Sequence, residues 1–332
     1  MILKNPTWPS LFPGTLRYNL IDNKRAFDLQ KELNIKGAVY QAMISDEISN
    51  FYMIHDEMNH NKYFIKFVSQ EYLSHYEEAE KIGHWLKTQG IPVNTAIKYD
   101  NGAYSRNGYL VYPFITGTPL SKNQETLVLF GQSLATLHQK LRDYPSQDQL
   151  ITKTQCRLTK LNDIREKIAD GKLNIGPIPG CVKKLAKSSN LDFNQGHSIQ
   201  ALHGDLNPGN VLLNDNIIYY LDFEDTLHSV LPIVYELVYI LERMVFVSVT
   251  DQKTRINLGR SFIQAYINNN GNYSYCKSDD LALSTLALRA FCVLTLCELE
   301  GKKIDSREWY KFQKLATLAE ITQDTLKTIL QA

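Results

Sequence analysis

The 332-residue chain reads as an α+β protein of two lobes: a small antiparallel sheet with one main helix, then a larger, mostly helical part. Three observations predict this. Aromatic and β-branched residues crowd positions 37–68 in the runs AVYQAMI, NFYMIH and KYFIKFV, with polar segments between them, as half-buried strands require. Beyond about residue 120 the apolar spacing becomes helical. Within that helical part, one short β pattern returns at residues 211–221. The expected boundaries are a Pro- and Asn-bearing lead-in at 1–25, a sheet lobe at 26–112 and a helical lobe at 113–332.

In chain order, residues 26–36 read as a helix and 37–68 as three strands. A helix follows over 70–90, with Ala79, Ile82, Trp85 and Leu86 on one stripe; Gly90 and then Ile91-Pro92 end it. Two more strands are expected at Thr95–Tyr99 and Gly108–Tyr112, on either side of the turn formers Asp100-Asn101-Gly102. From Tyr112 to Leu120, Pro and Gly alternate with apolar residues, the pattern of a connector. Leu129–His138 has helical apolar spacing, and His138 is expected as a buried, hydrogen-bonded core residue. Residues 150–200, rich in Lys with Pro177 and Pro179 beside glycines, read as solvated surface. Val211–Leu213 and Ile217–Leu221 form a hairpin pattern around Asn214-Asp215-Asn216, residues that tolerate positive φ. IVYELVYILERMVF, at 233–246, is a strongly apolar helix. Leu281–Leu299 contains Arg289 and several hydroxyls, which favours a buried helix over a membrane span.

Composition narrows the function classes. A formal net charge of +1 provides no global field for nucleic acid or an anionic membrane. The five cysteines, at 156, 181, 276, 292 and 297, form no C-x-x-C pair, which fits reduced thiols and a cytoplasmic setting. Three prolines interrupt the first twenty residues, so no signal-peptide core is expected there. Neither a zinc site nor a thiol hydrolase has an adequate signature.

The chemistry concentrates in HGDLNPGNVLLNDNIIYYLDFED, residues 203–225. Asp205 is followed five residues later by Asn210, and Asp222 lies across the hairpin. A hairpin brings Asn210 and Asp222 toward the same end of the ribbon. Mg²⁺, a hard octahedral ion, takes a few carboxylate or amide oxygens and completes its shell with phosphate and water. Asp222 and Asn210 are therefore the expected metal ligands, and Asp205 remains for the acceptor hydroxyl.

HGDLNPGN followed by LDFED resembles the aminoglycoside phosphotransferase and choline kinase group, small-molecule kinases with a bilobal protein-kinase-like fold. Protein kinases usually carry Arg where this chain has Gly204 and Gly where it has Glu224. The segment LFGQSLATLH likewise resembles a helix of that group. The resemblance implies phosphoryl transfer from ATP or GTP, with Mg²⁺, to a hydroxyl of an aminoglycoside, amino-alcohol or sugar-like acceptor. It implies that adenine bonds to backbone in Pro113-Phe114-Ile115 and that Leu212 lies beneath the ring. It makes Lys66 the lysine on the α and β phosphates; Phe64, Lys66 and Val68 share one strand face, where a Lys needs an anion.

Glu78 best fits the group's pattern for the acid that holds this lysine, with Glu80 the close rival. His203 is expected to orient the catalytic loop; Asn207 either meets the phosphoryl group or caps the loop. The phosphate loop departs from the protein-kinase pattern, because residues 44–52 contain no glycine. Ser49 and Asn50 stand there as donors, with Asp46 and Glu47 expected to face solvent. Where the group often has YDLA, this chain has Tyr235-Glu236-Leu237-Val238, a longer acid arm. Glu224, Asp225, Glu236, Glu242, Glu298 and Glu300 are acids that could surround a cationic acceptor. The alternatives are a nucleotide-binding pseudokinase or scaffold, supported by the glycine-free loop, and a protein kinase, disfavoured by the short stretch between Asp222 and Glu236.

Overall fold

Strand alternation at 38–67 sorts side chains onto two faces, and both faces find partners. In this computed structural model, which describes residues 17–21, 23–44, 47–56, 60–173, 180–188, 191–193, 196–301, 304 and 306–332, the chain forms two units. One is Met1–Leu120 with Asn207–Asp225; the other is Ser121–Leu206 with Thr226–Ala332.

The first unit contains β1 (Arg17–Leu20), α1 (Asn23–Leu33), β2 (Ala38–Ile44), β3 (Glu47–His55), β4 (Lys62–Phe67), α2 (Gln70–Thr88), β5 (Ser105–Arg106) and β6 (Tyr109–Pro113). The strands form a six-stranded sheet in the order β1-β2-β3-β4-β6-β5, antiparallel throughout. Val39, Ile54, Ile65 and Val111 pack with Leu29 and Leu33 of α1. Val68, Leu110, Ala96 and Tyr104 form a second cluster with Leu73 and Tyr76 of α2. A three-stranded sheet, β10-β9-β7, joins β7 (Thr118–Pro119) to the hairpin of β9 (Val211–Asn214) and β10 (Ile217–Tyr220). Asp215 and Asn216 turn that hairpin with φ of 47° and 61°, as their residue types allow.

Two expectations are corrected here. The lead-in holds a strand, β1, which pairs with β2. Thr95–Tyr99 is extended but forms no strand. Two acids of α2 intercept the chain around it: Glu80 accepts from Ala96 N–H (2.7 Å), and Glu77 accepts from Tyr104 N–H. Ile97 N–H still reaches Val111 C=O at 2.7 Å, and β5 takes the edge beside β6.

The second unit is built from α3 (Gln124–Arg142), α4 (Gln147–Ala169), α5 (Gly180–Ser188), β8 (Ile199–Ala201), β11 (Val230–Pro232), α6 (Ile233–Leu241), α7 (Gln252–Asn268), α8 (Ala282–Leu299) and α9 (Ser306–Leu330). Asn123 caps α3 by accepting from Thr126 N–H at 2.9 Å, and Asp251 caps α7 through Thr254 N–H at 2.7 Å. The expected single helix over 233–246 changes form at Glu242, where residues 242–246 make a π turn. The Lys-rich stretch after residue 150 is not plain surface. It carries α4, whose Leu150, Leu161, Ile164 and Ile168 form a buried stripe, and α5, which buries Val182 and Ala186. A long polar face had masked that stripe in the composition. Residues 277–299 are apolar and long enough to cross a membrane, but α8 buries most of its length inside this unit, as expected of a core helix.

Close packing of α3 on α7 depends on Gly131. A Cβ there would lie 2.5 Å from the Phe262 carbonyl oxygen, a backbone atom that no rotamer change can move. Gly131→Ala gains up to ~1 kcal/mol of helix propensity but incurs an overpacking cost of ~1–3 kcal/mol or more. The expected result is a lower thermal or urea unfolding midpoint.

Candidate active site

The side chains of Phe64 and Lys66 share one face of β4, opposite Tyr112 and Leu110 of β6 respectively. Over that face lies a pocket of about 640 Å³, its open mouth included. Phe64, Tyr112 and the segment Pro113-Phe114-Ile115 line one part of it. The hairpin supplies the rest: Asn210, Leu212, Leu221 and Asp222. The pocket therefore joins apolar walls suited to a flat ring with a lysine, an amide and a carboxylate suited to phosphate and metal.

The connector backbone is selective. Phe114 N–H donates to Lys62 C=O at 2.9 Å, which makes Tyr63 and Pro113 a non-hydrogen-bonded pair. The Pro113 carbonyl is then directed away from β4. Pro113 has no N–H to offer and that of Phe114 is committed. Pro113 C=O and Ile115 N–H are thus an acceptor and donor two residues apart.

The hairpin ties its own loop. Asn207 Oδ1 accepts from Gly209 N–H at 2.6 Å, and Asn210 N–H donates to Asn207 C=O at 3.0 Å. Asn207 thus holds the loop's own backbone through both its side chain and its carbonyl. Leu221 N–H donates to Asn210 C=O at 2.9 Å, fixing Asn210 beside the start of the Asp222 turn. Asp222 itself has φ of 62°, a left-handed conformation that Asp adopts more readily than most residues.

Two acids of the Asp222 turn stand at the lysine. Lys66 Nζ is 3.5 Å from Asp222 Oδ2 and pairs still more closely with Glu224 Oε1, above the Tyr76 ring at 4.2 Å. The sequence pointed to Glu78. Its rival Glu80 is occupied by Ala96 N–H and by Tyr112 Oη (2.8 Å), and burial pushes its carboxyl up to about 7. The Asp222-Phe223-Glu224 turn brings two acids to Lys66 at once, a long-range encounter that helix spacing cannot reveal. Burial opposes the Lys66 charge, but Asp222 and Glu224 outweigh it and raise its pKa. Burial, and then the Asp222 charge, push Glu224 up against the opposing pull of Lys66. Ser49 and Asn50 lie on β3, but their side chains, and all of Asp46, fall outside the described residues.

In the second unit, Glu236 is the hub of the Asp205 loop. It is fully buried and accepts from the N–H groups of His203 (3.2 Å) and Gly204 (2.5 Å), and it bonds with His138 Nε2 (2.7 Å). Burial disfavours the Glu236 charge, yet these partners outweigh it and hold its pKa below the usual carboxylate range. His138, buried as expected, also meets Tyr266 Oη at 2.9 Å. His203 braces the loop on both sides. Its Nδ1 faces Asp205 N–H at 3.4 Å, and its C=O accepts from Thr226 Oγ1 at 3.0 Å.

Tyr239 Oη donates to Asp205 Oδ1 at 2.5 Å. Burial, then the Asp205 charge, keep that phenol well above its ordinary pKa, so it stays a donor. The Arg243 guanidinium lies over the Tyr239 ring at 5.1 Å. Sequence reading missed Tyr239 and Arg243. The signal was there in the spacing Tyr235, Tyr239, Arg243, an i, i+4, i+8 row starting beside Glu236.

One unit holds a lysine strand and an amide–carboxylate hairpin and the other a braced Asp loop, and the fold is that of the kinase-like phosphotransferases. A family model described as the phosphotransferase enzyme family matches residues 42–275, more than half of the sequence, and the chain belongs to that family. No curated protein sequence matches it.

Among solved structures it is similar to the choline kinase LicA from Streptococcus pneumoniae, with TM-score 0.59, 15% identity, and 90% of this chain and 98% of that one covered. A spectinomycin phosphotransferase in complex with ADP and spectinomycin gives TM-score 0.51 and 16% identity over 95% and 100% of the two chains. A microcompartment-associated aminopropanol kinase gives TM-score 0.51 and 13% identity over 93% and 99%. These likenesses establish the fold.

Proposed function

We propose that this phosphotransferase moves the γ-phosphoryl group of ATP or GTP, with Mg²⁺, to a hydroxyl of a small acceptor, in the cytoplasm. The observation that carries the reading is the pocket that gathers Lys66, Asn210 and Asp222 beside apolar walls and an open backbone acceptor–donor pair. Two solved relatives support a nucleotide, one in complex with AMP and one with ADP. Their names, with that of the aminopropanol kinase, support an amino-alcohol, aminoglycoside or sugar-like acceptor.

In this reading residues 26–112 are the nucleotide-binding lobe and 113–332 carry the catalytic loop and acceptor site. Adenine or guanine lies between Phe64 and Leu212 and bonds to Pro113 C=O and Ile115 N–H. Lys66 exchanges an acid for phosphate oxygens; Ser49 and Asn50 donate to them. Among the described residues no group of three or more His, Cys, Asp or Glu side chains could hold a metal. Asn210 and Asp222, however, are two hard oxygen donors on one pocket, and this fits Mg²⁺ held jointly with nucleotide phosphates. When bound, Mg²⁺ neutralises charge on the β and γ oxygens. Asp205 orients the acceptor hydroxyl and takes its proton late, with Tyr239 holding Oδ1 and so fixing the carboxylate's orientation.

The test is Mg²⁺-dependent ADP or GDP release across a panel of hydroxyl acceptors, with Asp205→Asn as the blank. Release that no acceptor stimulates, or that persists in the blank, sinks the proposal. Asp222→Asn is expected to weaken Mg-nucleotide binding at least about tenfold, the scale of losing a group that supports a metal. Asn is the right replacement because it also tolerates the left-handed backbone at this position. Titration calorimetry with Mg-ATP and Mg-GTP measures the loss.

A further inference from the structure

We propose that the acceptor carries an oxyanion, a carboxylate or phosphate group, and that Arg243 binds it. The inference rests on the reading of Asp205 as the group that receives the acceptor hydroxyl. Whatever surrounds Asp205 then surrounds the acceptor.

The acids available for a cationic acceptor are committed elsewhere. Glu224 is ion-paired with Lys66 in the first unit, and Asp225 of that unit is also engaged. Glu236 is fully buried and spends its oxygens on His138 and on the two loop N–H groups. Glu298 and Glu300 lie at the exposed end of α8, where Glu300 meets Lys160 at 3.3 Å. Glu242 is 2% exposed, so no ligand reaches it.

The groups beside Asp205 are instead phenols and a cation. Tyr239 donates to Asp205, and Arg243 covers the Tyr239 ring at 5.1 Å. Tyr235 stacks on Tyr239 at 6.3 Å between centroids, and the Arg289 guanidinium lies over the Tyr235 ring at 5.3 Å. Arg243 retains some access, its side chain 11% exposed. Its Nε is 2.9 Å from Glu242 Oε2, but neither atom has a hydrogen bond, because the pair is close without being aligned. A guanidinium has five N–H donors in a planar fork; Arg243 engages the Tyr239 hydroxyl as well as the Glu242 charge, and the fork still has donors for a second oxyanion.

The chain places Arg243 on the π turn at 242–246, directly after α6, which carries Tyr239. Such turns inside helices occur often at functional sites, and here the wider turn sets Arg243 over Tyr239. The Lys311 charge, which acts on Glu242, is itself paired with Glu308. Within the acceptor classes of the proposed function, the guanidinium favours a sugar-like or amino-alcohol acceptor that also carries an acid group over a plain trimethylammonium or polyamine.

The experiment compares matched acceptors: ethanolamine, glycerol and glycerate, then glucosamine, glucose, glucuronate and glucose 6-phosphate. Product is read by phosphorus NMR and by Asp205-dependent ADP release. The expected result is a kcat/KM for an anionic member at least about tenfold above its cationic partner, the scale of one charge-assisted hydrogen bond. Glycerate or glucuronate leading marks a carboxylate; glucose 6-phosphate leading marks a phosphate. In Arg243→Met, KM for that acceptor should rise about 10- to 100-fold with a smaller change in kcat, and Arg243→Lys should fall between. Arg243→Lys also serves if the Met variant does not fold.

A cationic member turned over best, or an anionic KM indifferent to both Arg243 variants, overturns the inference and leaves the phosphotransferase reading standing. No turnover of any member by protein that binds Mg-nucleotide counts against both.

Discussion

Asp205→Asn should cut kcat by about two to four orders of magnitude, the usual contribution of a positioned acid–base group, while Mg-nucleotide affinity holds. Asn keeps an Oδ1 that can accept from Tyr239, and the residue-205 N–H still faces His203 Nδ1. The loop therefore has no reason to rearrange. What disappears is the carboxylate proposed to receive the hydroxyl proton. The proposed nucleotide contacts lie on the pocket of Lys66, Asn210 and Asp222, whose lining does not include Asp205. Single-turnover kinetics beside calorimetry gives the pattern, which is the reverse of that expected for Asp222→Asn. Matching effects of the two substitutions on both readouts would refute the division of labour.

Glu236→Ala should be the most destabilising single change at the site, by roughly 3–5 kcal/mol, the cost of removing one member of a buried, fully bonded ionic group. It strands two loop N–H groups and a histidine nitrogen in a region with no exposure. Glu236→Asp restores the acid that the YDLA pattern carries, but on a shorter arm, and should recover part of the loss. The pH dependence has a definite sign. The folded-state pKa of Glu236 lies below its unfolded value. Its contribution is thus complete above about pH 4.3, the ordinary Glu value, and is lost as pH falls through the depressed folded-state value. Urea unfolding at neutral and acid pH should show wild type losing this contribution on acidification and Glu236→Gln lacking it.

Much of this was legible because local rules and chemistry agreed. The runs at 38–67 alternate cleanly, the turn at Asn214–Asn216 uses residues that accept positive φ, and Asp205, Asn210 and Asp222 stand at spacings that one loop and one hairpin can hold. The strand at Thr95–Tyr99 failed where side chains of α2 competed for backbone donors, which no strand propensity records. Helix α4 was hidden because a solvated face contributes most of its residues. The acids that stand at Lys66 were not legible because a helix offers several equivalent glutamates, whereas these two arrive from about 160 positions away in sequence. Tyr239 and Arg243 were missed for a different reason: a tyrosine and an arginine on an apolar helix look like core and snorkelling surface until the acid beside them is known.

The bonds around Glu236 also extend away from the loop. Tyr266 of α7 holds His138 of α3, which holds Glu236 of α6, which holds the backbone of His203 and Gly204. Gly131 keeps α3 against α7 within the same chain of contacts. The Asp205 loop is therefore no foldon of its own; it opens only when the helices behind it part. Its amides at His203 and Gly204 should therefore exchange with the slow class of the helical core, so that Asp205 keeps its setting for as long as the helices stay packed.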